Sequence, residues 1–255
     1  YYFANVLDSI RNTATDFCYD IMFISNRVGD SEMSFYRHAA YRNCDGVIII
    51  EARFEDPDIV ELAASNLPIV VLDHVFQGRV SIMSENVESL VEIMQYVVGK
   101  GHRKIAFIHG QENGFITQKR IAGFYKGCME LGIRTPEEYI VKGKYHDPEE
   151  RLLSLPTPPT CILYPDDYSY LGGLSVIEKR GLSIPDDISV VGYDGINLSR
   201  HLRPELTTYR QDSLTIGRQA VIKLIEQIEQ PDKQHDEQIF IKGSLQPGNS
   251  VKQIY

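Results

Sequence analysis

The chain has 255 residues, 43% of them hydrophobic and 24% charged, and its 35 acidic and 26 basic residues leave a net charge of −9. That length buries a real core in one large or two small domains. The acidic balance, with no basic run longer than the His102-Arg103-Lys104 stretch, excludes a chain that grips a phosphate backbone by itself. No segment approaches the roughly 18 uninterrupted apolar residues of a membrane span. Cys18, Cys44, Cys128 and Cys161 are far apart, lack metal-ligand spacing and sit in or beside apolar segments, which suits reduced thiols in a cytosolic protein.

Phe3, Val6, Leu7, Ile10, Ala14 and Phe17 fall at the i, i+3, i+4, i+7, i+11 and i+14 spacing of an amphipathic helix. Residues 21–24 read as a strand, a helix follows through 35–40, and the Gly-Val-Ile-Ile-Ile run of 46–50 reads as a fully buried strand. A helix over 59–64 and a strand over 69–72, introduced by Pro68 and ending in Asp73, complete a first round. Helix and strand alternate as a doubly wound sheet requires, except that no strand precedes the first helix, which suits a chain shortened at its N-terminus.

A second round opens near Ser84. Val87, Leu90, Val91, Met94, Val97 and Val98 share one helical face, with Ser84 or Asn86 as the cap and Gly99 and Gly101 at the end. A strand over 104–109, a helix over 119–131, strands over 139–141 and 160–163, and a helix over 171–180 follow. Residues 188–191 form a short buried run that breaks at Gly192 and is followed by Asp194. Read alone, Asp194 either starts a surface turn or is a carboxylate delivered to the carboxyl edge of a parallel sheet, where open α/β folds bind ligands. A short strand over 208–210, a helix over 214–230 and a last strand over 238–242 close the chain. The pattern predicts an α/β protein of two sandwiches in tandem, each alternating strand and helix. Asp73 and Asp194 occupy matching places at the ends of buried strands, which suggests a cleft between two facing sheet edges.

Several short motifs stand in a fixed order: Gly99-Lys100-Gly101-His102-Arg103-Lys104-Ile105-Ala106-Phe107-Ile108, Arg120-Ile121-Ala122-Gly123-Phe124, and Asp166-Asp167 with Leu171-Gly172. Ile184-Pro185-Asp186-Asp187-Ile188-Ser189-Val190-Val191-Gly192-Tyr193-Asp194 and Leu206-Thr207-Thr208 come after them. In this order and spacing the chain resembles the effector-binding core of the LacI/GalR family of bacterial transcription regulators, a fold similar to type I periplasmic sugar-binding proteins. The resemblance implies two doubly wound parallel-sheet lobes joined by crossover hinges, residues 1–84 plus 211–240 forming one and 85–210 plus 241–255 the other, and a set of effector contacts between them. Asp73 and Asp194 offer carboxylates to ligand hydroxyls, Arg120 donates from the second lobe, Tyr145 is an aromatic that stacks on sugar or base, and Asp166 ends a strand. Gln211 lies in the hinge crossover, and Tyr2 and Phe3 supply an aromatic wall. One member of the pair Asp166 and Asp167 is also expected to cap the helix that follows, and His102 and His109 read as ordinary partly buried histidines. The chain departs from the family pattern at Glu85-Asn86, at Ser89 and Cys18, where relatives commonly carry glycine, and at Gly195, where many carry an acid.

The resemblance implies a ligand-responsive transcription regulator, a repressor rather than an enzyme: no Gly-x-Ser-x-Gly elbow, phosphate loop, His-Glu-x-x-His or Cys/His cluster is present, and no catalytic residue, metal or cofactor is expected. It further implies a sugar or sugar derivative as effector, a homodimer in the cytoplasm, no membrane partner, and operator DNA bound through an N-terminal helix-turn-helix absent from this chain. The competing reading is a free solute-binding protein serving a transporter or sensor.

Overall fold

A computed structural model of the chain describes residues 2–28, 31–143 and 147–254. Helix α1 (Tyr2–Asp16) buries Val6, Ile10 and Ala14, members of the stripe that its spacing predicts. Two short strands, β1 (Arg27–Val28) and β2 (Ser31–Glu32), precede α2 (Phe35–Tyr41), whose cap Ser34 accepts from the Arg37 amide. Then come β3 (Val47–Ile49), α3 (Pro57–Ala64), β4 (Ile69–Leu72) and β5 (Val80–Ser84). Helix α3 starts on Asp56 with Pro57 in its first turn. It ends under Arg79, whose guanidinium donates to the carbonyls of Ala63 at 2.8 Å, Leu67 at 2.9 Å and Ser65. A helix end leaves such carbonyls without intrahelical partners, so one side chain closes it.

The alternation continues through α4 (Asn86–Gly99), β6 (Ile105–His109), α5 (Phe115–Glu130), β7 (Ile140–Lys142), α6 (Asp147–Leu153), β8 (Cys161–Leu163), α7 (Asp167–Lys179), β9 (Ser189–Asp194) and β10 (Thr207–Arg210). Helix α8 (Ser213–Glu229) and strands β11 (Gln238–Ile241) and β12 (Ser244–Gln246) finish the chain. Two compact units result. The first lobe is Phe3–Ser84 with Asp212–Ile241, and the second is built mainly of Glu85–Gln211 with Lys242–Tyr255.

The first lobe holds a parallel sheet of order β11-β5-β4-β3. The second holds a sheet of order β12-β10-β9-β8-β6-β7, parallel apart from the antiparallel pairing of β12 with β10. Strands β4, β6 and β8 are buried along their whole length, as helices on both faces of a parallel sheet require. In the second lobe Phe107, Phe124, Leu163 and Val191 fill one face, and Ala106, Ile108, Ile162 and Val190 the other. Neighbouring residues of one strand thus serve opposite faces. From β6 the chain runs outward to β7 and then returns to place β8 on the other side of β6, so the winding reverses between β6 and β8. Open sheets bind ligands beyond the carboxyl ends of strands at such a reversal.

Residues 21–24 do not form the expected strand. Ile21, Met22 and Phe23 are 44%, 52% and 79% exposed, and no ladder claims their backbone. A β-branched run becomes a strand only where a neighbour supplies the ladder. Instead the segment is tethered by His38, whose Nδ1 lies 2.9 Å from the Ser25 carbonyl oxygen. Strands β5 and β12 and helix α6 were not legible in the sequence, and α5 begins at Phe115 rather than near 119. Among the described residues no helix is long and apolar enough to cross a membrane, and the four cysteines are free thiols.

Candidate functional site

The second lobe gathers its polar side chains through an unusually close helix pair. A Cβ at Gly123 would lie 2.4 Å from the Val87 carbonyl oxygen, and one at Gly127 2.8 Å from the Met94 Cβ. These glycines, four residues apart on α5, let it press against α4. The approach sets Arg120, one turn earlier, beside the start of α4. Its Nε donates to Asn86 Oδ1 at 2.8 Å and its Nη1 to the Pro165 carbonyl at 2.7 Å, just past β8. The guanidinium carbon lies 3.6 Å from the centre of the Tyr193 ring on β9, a cation–π contact. Three elements therefore hold Arg120, while these bonds use two of the five guanidinium N–H groups.

Asp194 ends β9 with φ 99°, a conformation that an L side chain adopts only under constraint. Its Oδ1 accepts from Gln211 Nε2 at 2.7 Å, and the Gln211 amide donates to the Asp194 carbonyl at 3.3 Å. Burial pushes the Asp194 carboxyl up to about 8. The Arg120 charge pulls against that shift, Asp167 and Asp166 add to it, and the Gln211 bond opposes it.

Asp167 is the hidden member of the group. Its Oδ1 accepts from Thr208 Oγ1 at 2.7 Å, and its Oδ2 from the Ile196 amide at 2.9 Å and from Ser199 Oγ at 2.6 Å. Burial raises it to about 6 although all three donors pull it down. Gly192 makes room for it, since a Cβ there would sit 2.1 Å from Asp167 Oδ1. The Gly195 amide donates to Thr208 Oγ1 at 3.2 Å. The Leu-Thr-Thr motif and the glycine of Val-Gly-Tyr-Asp thus act together: they lock the loop that aims Asp194.

The other expected site residues are placed as follows. Asp166 caps α7, its Oδ1 accepting from the Ser169 amide at 2.7 Å and its Oδ2 from Ser169 Oγ at 2.9 Å. Of the pair, then, Asp166 is the cap and Asp167 the buried network carboxylate. Asp73 follows β4 in the first lobe, half-buried with φ 58°, so both strand-end aspartates have left-handed backbone. Beside it His74 stacks on Phe54 at 4.2 Å and meets the edge of Phe76 at 4.8 Å, and burial lowers its pKa below 6.5. Tyr2 and Phe3 are half-buried at the start of α1. Tyr145 lies outside the described residues.

His102 bridges Thr160 Oγ1 and the Lys252 carbonyl at 2.9 and 3.1 Å, a structural tie to the C-terminal tail. Among the described residues no group of three or more His, Cys, Asp or Glu is arranged to hold a metal ion. Sequence reasoning missed the parts played by Asn86, Ser89, Asp167 and Tyr193. Asn86 and Asp167 carried the signal of helix caps, and Tyr193 lay unremarked inside a motif.

A sequence model of the periplasmic binding protein-like domain matches residues 94–251. The chain is 32% identical over 213 residues to the probable HTH-type transcriptional repressor ExuR of Bacillus subtilis, covering 80% of this chain and 64% of that protein. It is 28% identical over 243 residues to the HTH-type transcriptional repressor CytR of Escherichia coli, covering 89% and 69%. Among solved structures, a LacI-type putative transcriptional regulator from Bacillus cereus subsp. cytotoxis superposes with a TM-score of 0.88 over 100% of this chain and 93% of its own, at 24% identity. At that identity the likeness concerns the fold alone.

Proposed function

Because the chain belongs to the periplasmic binding protein-like domain family, as the effector-binding core of a LacI/GalR regulator, we propose that it binds a small polar molecule and reports its presence to DNA-binding modules outside this chain. The observation that carries the reading is the Arg120–Asp194–Gln211 group beside the β6/β8 reversal. Arg120 is held by its own scaffold and keeps donors for a ligand. Asp194 and Gln211 are aligned by each other, and the second Asp194 oxygen meets a ligand hydroxyl as an O–H donor below about pH 8 and as an acceptor above it. Such a mixed set suits a hydroxyl-rich ligand, a sugar or sugar derivative.

On this reading Asp73 contributes from the first lobe, and Tyr145, Tyr2 and Phe3 cover the apolar faces of the ligand held between the lobes. Asp166 caps α7 through one bond to each oxygen and keeps a second acceptor site on each for the ligand. Ligand contacts favour one lobe arrangement over another, and the difference in affinity between the two is the energy available for signalling. In a cytoplasmic homodimer that change alters the spacing of two helix-turn-helix modules and hence their fit to operator half-sites. The repressor names of the relatives favour this reading over a free solute-binding protein.

Thermal-shift screening of pentoses, hexoses, sugar acids, nucleosides and purines tests it. A ligand at 100 times its Kd stabilises the fold by about 2.7 kcal/mol, roughly 5–11 °C in a chain of this size. A panel in which no compound moves the melting temperature counts against the reading.

A further inference from the structure

Tyr193 has more bonds than a core aromatic needs. It is 1% exposed, and its ring carries the Arg120 guanidinium at 3.6 Å. Its hydroxyl and Ser89 Oγ are 2.8 Å apart, a buried hydrogen bond to the first turn of α4. The same ring stacks on Tyr209 of β10, with centroids 5.4 Å apart and planes 24° apart. Tyr209 in turn packs on the Gly243 backbone, where a Cβ would lie 2.5 Å from its ring.

These partners share one feature of chain connectivity. The chain passes between the lobes after Ser84, after Gln211 and after Ile241. Ser89 lies in the first helical turn after the first passage, Gly243 is the second residue after the third, and Tyr209 stands two residues before the second.

We propose that Tyr193 is a positioning residue of the effector site, which seats Arg120 on its ring and, through Ser89 and Tyr209, ties the position of that guanidinium to all three lobe passages. The proposal rests on Arg120 being an effector contact. On this account a ligand that draws Arg120 off or against the ring changes the restraint on the three passages together, and the ring and the hydroxyl have separable roles. The ring seats Arg120 and Tyr209, and the hydroxyl holds the start of α4.

The test uses the ligand-free chain, so its failure is separate from failure of the ligand screen. NMR follows the Arg120 Nε–Hε resonance, and amide hydrogen exchange is read at residues 84–90, 208–212 and 242–246. In the wild type the resonance is displaced by the ring current and protected by the Asn86 bond. Tyr193→Phe keeps the displacement and raises exchange over 84–90 by about tenfold, the scale of one buried hydrogen bond. Ser89→Ala does the same, and the double variant adds nothing further. Tyr193→Leu abolishes the displacement and raises exchange at all three passages.

Tyr139→Phe is the control. It removes a buried hydroxyl bonded to the Thr157 carbonyl in the same lobe, and it leaves the resonance and the three passages unchanged. An Arg120 resonance unmoved in Tyr193→Leu overturns the proposal. So does unaltered exchange over 84–90 in both Tyr193→Phe and Ser89→Ala, or a rise spread evenly over β6 and β8, which would mark Tyr193 as core packing only. If the leucine variant does not fold, the phenylalanine and alanine variants alone decide the matter.

Discussion

Asn in place of Asp194 removes a pH response of the chain's stability whose direction follows from the burial of that carboxyl. The Asp194 carboxyl sits at about 8 in the fold against 3.8 for a free one, chiefly through burial. Between those values the folded chain keeps a proton that the unfolded chain has lost. The stability this group lends is therefore fully present below the unfolded value and drains away as pH rises through the folded one. The slope is at most about 1.4 kcal/mol per pH unit. Solvent reaches a half-buried carboxylate and screens it, which leaves about 1–3 kcal/mol across pH 5 to 8.

Asp194→Asn keeps the Oδ1 that accepts from Gln211 and cannot ionise. The melting temperature of the variant minus that of the wild type should accordingly climb by roughly 2–12 °C between pH 5 and pH 8.5, then level off. Calorimetric scans at half-unit pH steps measure it. A difference that stays constant or falls with pH refutes the assignment of a buried, proton-retaining carboxyl.

Gly123→Ala drives a methyl group into the Val87 carbonyl and should cost about 2–3 kcal/mol in urea unfolding while breaking the Arg120–Asn86 bond. A loss below about 0.5 kcal/mol would mean that α4 and α5 are not so closely packed. Arg79→Met strips three carbonyls of their donor at the end of α3 and should cost about 2–3 kcal/mol, with exchange rising first over 57–67. Unchanged stability would show that solvent caps that end equally well.

The alternation of helix and strand was legible because parallel strands buried on both faces are short, β-branched and bounded by glycine, proline or aspartate. The runs ending at Leu72, His109, Leu163 and Asp194 all have that character. Residues 21–24 carry the same local signal and form no strand, because a ladder depends on a neighbour that the local sequence does not specify. Of the proposed site, Arg120 and Asp194 were named from their motifs. Asn86, Ser89 and Asp167 were not, since a polar residue near a helix start reads equally as a cap, and its partners lie 34, 104 and 41 positions away in the chain. Glu149 of α6 is 1% exposed against Gly173, another consequence of long-range packing that no local pattern announces.

The central claim is that Arg120 and Asp194 hold the effector. Titration calorimetry of the tightest compound from the thermal-shift panel, run on the wild type, Arg120→Ala and Asp194→Asn, with Tyr125→Ala as a surface control on α5, tests it most directly. The account predicts a loss of about 10–100-fold in affinity for Arg120→Ala, the scale of a charge-assisted hydrogen bond, a similar loss for Asp194→Asn above about pH 8, where the carboxyl is ionised, and none for the control. Affinities of Arg120→Ala and Asp194→Asn within twofold of the wild type would contradict it.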